Sequence, residues 1–313
     1  MYLLAEAAPR LRHIRLPLSR DQFFLLLAAF NQLFIAGDIY LAHSINGTIK
    51  PNEWIPIVYG VLAGIALLGA GAIALHDRPR ATRLANLVFI IGIAVGLLGA
   101  WFHLNRTVLL DSGLLSLEAV GALIWAPPVI GPLFFILISI LGISAAWVEA
   151  PVDSGRLRLF GERQVQMPYS KTRAYMLITA IFILATLISS ILDHARIRFD
   201  NVWVWLPASA ALFGFTTSLF IGILQRPNSG DIVVHAVAML LLILVGIVGF
   251  FLHGESSLTA SGAIVVERFL RGSPILAPLL FCNVGVMGLL ALLDPREREH
   301  TPRSLGMARE SGS

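Results

Sequence analysis

The chain has 313 residues, 57% hydrophobic and only 13% charged, with a mean hydropathy of +0.79 and a formal net charge of +4. Soluble proteins carry about 25% charged residues, so much of this surface is expected to face lipid. No loop is large enough to form a nucleic-acid-binding domain, and the basic balance instead suits membrane lipids with anionic headgroups.

Residues 1–21 are basic and broken by Pro9 and Pro17, which predicts an interfacial or loose N-terminal segment rather than a cleavable signal. Eight apolar runs follow, at 22–42, 55–75, 84–103, 128–148, 174–192, 204–224, 232–252 and 273–293. Each is near the roughly 20 residues that a bilayer crossing takes. Backbone polar groups in hydrocarbon must be satisfied internally, so the runs are expected to be helices. Barrel strands would alternate with a two-residue period, and runs such as Leu240–Gly249 do not. The basic connection 151–173 divides 22–150 from 174–293, and the polar tail 294–313 is expected to be disordered. Of the 23 lysines and arginines, all but Lys50, Arg106, Arg196, Arg198, Arg268 and Arg271 fall on the side of the N-terminus. Positive charge stays in the cytoplasm, which predicts a cytoplasmic (inner) membrane protein with both termini inside.

The halves share a pattern. His43 precedes Trp54 by eleven residues and Pro56 by thirteen, and His194 precedes Trp205 and Pro207 by the same intervals. His103 follows His43 by sixty residues, and His253 follows His194 by fifty-nine. Ser-Gly, a glutamate (Glu118, Glu267) and P-x-x-x-P-L-x-F follow in each half. The fold expected is therefore all-α: eight transmembrane helices as two tandem four-helix repeats. Four spans per copy is an even number, so the copies would be related by a pseudo-two-fold axis along the membrane normal.

That topology places His43, His103, His194 and His253 at one level near the outer face. Imidazole is a strong ligand for iron, copper or zinc. Two imidazoles on neighbouring helices can hold a haem iron or begin a metal site, and a carboxylate nearby can complete it or orient the ring. Asp38, Asp193, Glu118 and Glu267 are the candidates for that part. The aspartates are not duplicated, since Asp38 aligns with Ser189 and Asp193 with Ala42. A histidine at the end of a span also suits the headgroup layer as a half-wet aromatic, and duplication would preserve that as well. Trp54, Trp101, Trp203 and Trp205 fit an aromatic belt at the same level. His235 would lie at the inner side, opposite Ala85 in the first copy.

Mid-span residues are almost wholly apolar, and no HExxH, GxSxG, Walker or CxxC motif occurs. The usual signatures of hydrolases, ATPases and thiol oxidoreductases are therefore missing. The leading expectation is a membrane subunit binding haem or a transition metal ion through the paired histidines. If it is an enzyme, it is an oxidoreductase subunit, with extracytoplasmic or membrane redox subunits and quinone as partners. A second expectation is a transporter for a neutral or lipidic solute, with Asn31, Gln32 and Asn283 lining a cleft between the repeats. A third is a structural subunit that docks an assembly through loops 104–127 and 254–272.

Overall fold

The computed structural model describes residues 16–44, 48–106, 129–158, 163–259 and 275–293, together with 3, 8–10, 121, 124 and 125. Glu118, Glu267, most of the two long loops and the tail 294–313 lie outside the described residues. The described chain is built on eight helices: α1 (Arg20–Ser44), α2 (Trp54–Ile73), α3 (Arg78–Arg106), α4 (Ile130–Ala146), α5 (Lys171–Ala195), α6 (Trp205–Ile223), α7 (Ser229–Thr259) and α8 (Leu279–Ala291).

Six of them, all but α4 and α8, are long and apolar enough to cross a membrane. Their outward faces are studded with exposed Leu62, Ile65, Leu87, Ile90, Val237, Leu240 and Leu244, where a water-soluble protein would avoid so large an apolar patch. The chain has the build of a multi-pass membrane protein. Eight spans were expected. The fourth and eighth runs form shorter helices of 17 and 13 residues, about 26 and 20 Å at 1.5 Å per residue. Pro132 sits at the start of α4, and Pro278 directly precedes α8.

Helix starts obey local rules. Ser19 and Gln22 bond reciprocally before α1, and Asn228 and Asp231 do the same at α7. These are capping boxes, which satisfy amides that the helix itself leaves unpaired. Asp77 accepts from the Arg80 amide at α3, and Ser170 accepts from that of Arg173 at α5. Both α2 and α6 are entered through a 3-10 turn, Pro51–Glu53 and Val202–Val204 respectively. Each then opens Trp-x-Pro, with the proline in the first turn, where its missing N–H costs no helical bond.

Helices α1 to α4 pack in a ring, α1 on α2, α2 on α3, α3 on α4 and α4 on α1, and α5 to α8 pack in the same order. The two bundles meet through α4 with α5 and α1 with α8. Phe134 tilts against Phe182 with ring centres 6.0 Å apart, and Phe24 stacks on Tyr175 at 4.1 Å. These aromatic contacts lie in the seam between the bundles.

The connection after α4 was expected to be an irregular basic linker. It contains a small antiparallel sheet, β1 (Val148–Glu149), β2 (Arg156–Arg158) and β3 (Gln164–Gln166), in that order. Glu149 gathers it. Its carboxylate accepts from the Gly155 amide at 2.7 Å, the Asp153 amide at 3.1 Å and the Lys171 amide at 2.9 Å, the last in the first turn of α5. A carboxylate there also meets the positive end of the helix dipole. Glu149→Ala should speed amide exchange at Asp153, Gly155 and Lys171 by about 10–100-fold, the loss of a hydrogen bond to a charged group. Exchange mass spectrometry in detergent reads this directly, and unchanged rates would show that the sheet holds the linker without Glu149.

Beside this sheet lies a buried ionic cluster at the linker end of the seam. Asp21 accepts from Lys171 Nζ and, at 2.8 Å, from the Tyr175 hydroxyl. Lys171 Nζ also donates to the Trp147 carbonyl. Arg20 donates to Thr172 Oγ1 at 2.7 Å, and that hydroxyl donates to Asp153 at 2.8 Å. Arg20 and Lys171 are only 2% and 3% exposed. The positive-inside count sees both only as charges on the inner side. They are instead the polar core of the bundle contact.

Candidate histidine sites

At the end of the bundles away from the linker, the four singled-out histidines form two pairs. His43 near the end of α1 and His103 near the end of α3 place their ring centres 6.1 Å apart, at an interplanar angle of 80°. His194 of α5 and His253 of α7 stand 6.5 Å apart at 75°. All four rings are half-buried. The helix carrying His253 runs on to Thr259, beyond the end expected at residue 252.

The height of each second histidine is set by glycines that the sequence reading did not align. Gly96 and Gly99 precede His103 as Gly246 and Gly249 precede His253. A Cβ on Gly96 would meet the Pro132 carbonyl at 2.9 Å, and one on Gly246 would meet the Pro278 carbonyl at 2.8 Å. The Cβ atoms of Gly99 and Gly249 would both come within 2.9 Å of those prolines' side chains. Without side chains at these points α3 and α7 can lie close against the starts of α4 and α8. The short helices therefore begin about one turn below the histidines, and in the first bundle a notch lies above the start of α4.

In the first bundle that notch is a cavity of about 340 Å³. Asp38, His43, Glu53, His103 and Asn52 supply its polar lining, and Ile39, Val95, Phe102 and Pro132 are among its apolar walls. Trp125 and Arg196 also line it. Arg196 comes from the second bundle and donates through Nε to the Ile124 carbonyl at 2.8 Å.

The leading histidine of each pair is anchored at Nδ1, by different means. His43 Nδ1 lies 3.3 Å from Glu53 Oε2. Glu53 is buried and accepts from the Lys50 amide at 2.9 Å. His194 Nδ1 donates to the Ser190 carbonyl, one turn back on its own helix, at 2.8 Å. An ionised carboxylate or a carbonyl can only accept, so the ring proton belongs on Nδ1. In the neutral ring Nε2 then keeps its lone pair. Glu53 was missed by sequence reading because its counterpart at the same interval is Val204.

Of the carboxylates singled out, Asp38 lines the first cavity. Asp193 lies within electrostatic reach of His194, His253 and Asp38, with Arg196 Nη1 3.8 Å from its Oδ1. Glu118 and Glu267 fall outside the described residues. Among the described residues no group of three or more His, Cys, Asp or Glu side chains is placed to hold a metal ion. His235 is fully buried and its Nε2 stands 3.3 Å from the Gly288 carbonyl, a helix-packing contact. Trp54, Trp101, Trp203 and Trp205 are exposed, as an aromatic belt requires.

No family model, curated protein or solved structure matches the chain.

Proposed function

We propose that this protein is a membrane subunit that binds haem or a transition metal ion through His43 with His103 and His194 with His253. In this reading the chain is a tandem duplication of a four-helix unit and crosses the membrane eight times. The positive-inside rule puts the linker end and both termini in the cytoplasm, so the histidines face outward. The shared order of helix packing, the two 3-10 turns before Trp-x-Pro and the matched glycine–proline contacts support the duplication.

One observation carries the binding assignment: both bundles pair their histidines with nearly the same spacing and angle. A metal–imidazole bond of about 2.0–2.1 Å plus the ring radius leaves at most about 6.5 Å between two ring centres that share a metal, and both pairs lie at that limit. An edge-to-face aromatic pair has the same spacing. The anchoring of Nδ1 in His43 and His194 favours the first, because it holds Nε2 ready as a ligand. A bare ion needs more donors than two. Haem iron brings four of its own and takes two axial ligands from the protein; a bare ion would be completed by water. Bound there, either group would supply one-electron chemistry or Lewis acidity, and the chain would exchange electrons with an outer partner.

Absorption spectra and elemental analysis of the purified protein test this. Bound porphyrin, iron, copper or zinc is expected, with about half lost in His103→Ala or His253→Ala and nearly all in the double variant. Metal-free, colourless protein that stays so after reconstitution with hemin or with each ion would remove the assignment.

A further inference from the structure

The two histidine pairs are not equivalent. Among the described residues, only the first has a carboxylate on its leading imidazole, Glu53 against Val204, and another lining the notch beneath, Asp38 against Ser189. The first cavity also has a distinctive wall. Ile55 of α2 and Leu98 of α3 both line it, yet they are 41% and 40% exposed on the outer surface of the bundle. Helices α2 and α3 pack side by side, so these residues form a thin partition between cavity and lipid. Trp125, 72% exposed, stands at the rim. A volume of about 340 Å³ lies at the small end of ligand pockets, which run from roughly 300 to 1,000 Å³.

The geometry points to a quinone or quinol as the guest of this cavity, its ring entering from the adjoining leaflet between α2 and α3 and its polar oxygens meeting Asn52 and Glu53 beside the His43–His103 pair. This rests on the outer histidine site proposed above and names the lipid-borne molecule it serves. The polar end is wrong for a phospholipid phosphate. Asp38 and Glu53 line it, and the Arg196 guanidinium is already engaged by the Ile124 carbonyl and Asp193. A neutral ring with hydroxyl or carbonyl oxygens meets no such repulsion. Glu53 accepts from a quinol hydroxyl, and the Asn52 side-chain amide donates to a quinone carbonyl. The apolar walls take the ring face, and an isoprenoid tail stays in lipid.

Full-length protein in nanodiscs is titrated with decylubiquinone, with quenching of tryptophan fluorescence as the readout. Saturable quenching is expected. Leu98→Trp, which narrows the partition, should weaken apparent binding at least about tenfold, and Ile55→Trp should do likewise should the first variant fold poorly. Val248→Trp makes the same change at the matching lipid-facing position of the second bundle and should leave binding as it was. Glu53→Gln should weaken binding severalfold. Non-saturable quenching, equal loss in Val248→Trp, or equally tight competition by decylbenzene, which has no polar head, would overturn the proposal. Metal and porphyrin content measured on the same samples keeps the two readings apart. Saturable binding by metal-free protein would leave the quinone site standing and remove the cofactor, while loaded protein that ignores decylubiquinone would do the reverse.

Discussion

Asp21→Ala should destabilise the protein by about 3–5 kcal/mol, the usual result of removing one partner from a buried ion pair. Lys171 and Arg20 would both remain in a dry seam, and the Tyr175 hydroxyl would lose its acceptor. The Tyr175 ring, between Phe24 and the two cations, holds the cluster together by packing. Phe24 is stacked on it, and the Arg20 guanidinium lies 5.0 Å from the ring centre. Thermal unfolding in detergent gives the measurement. Asp21→Ala/Lys171→Met, which removes both charges at similar volume, should recover a good part of the loss, because a buried pair contributes little beyond its own desolvation cost. A melting curve unmoved by Asp21→Ala would mean that water reaches the cluster.

Gly246→Val is expected to cost about 1–3 kcal/mol or more, because the new side chain meets backbone and not a movable side chain. A Cβ there would lie 2.5 Å from the Cys282 amide nitrogen and 2.8 Å from the Pro278 carbonyl. Helix α7 would have to back away from α8 and carry His253 with it. The second histidine pair should therefore lose its ligand while the first keeps it, which absorption and metal analysis can separate. Gly69→Ala is the contrasting change. Nothing stands within 4 Å of a Cβ at that position, so the substitution should be neutral or should stabilise α2 by roughly 0.5–1 kcal/mol through helix propensity. Equal damage by both would show that glycine content, rather than close approach, governs these helices.

Hydropathy made the helices legible because each long run must bury or expose hydrocarbon over its whole length. The placement of the four histidines at one end of the bundles was legible for a related reason: in a long helix, residue count fixes which end a side chain occupies. What the sequence withheld depended on contact between distant segments. Lys171 and Arg20 look like ordinary flanking charges until Asp21, 150 residues from Lys171, is seen beneath them. Glu53 lies only ten residues from His43, yet its role follows from a 3-10 turn that folds it back on the ring. Gly96 and Gly99 read as generic small residues. Their repetition as Gly246 and Gly249, at equal distance before a histidine, was the available signal. The late start of α8 has a local cause that hydropathy does not register: Pro278, the second proline of its P-x-x-x-P, directly precedes the helix.

The bond between Asp21 and Lys171 bears on how the chain is made. Helix α1 leaves the ribosome long before Lys171 is translated, so during synthesis Asp21 has only its sequence neighbour Arg20 at hand as a countercharge. The cluster is thus completed only when the second bundle is made, and its salt bridge is one that neither bundle can form alone.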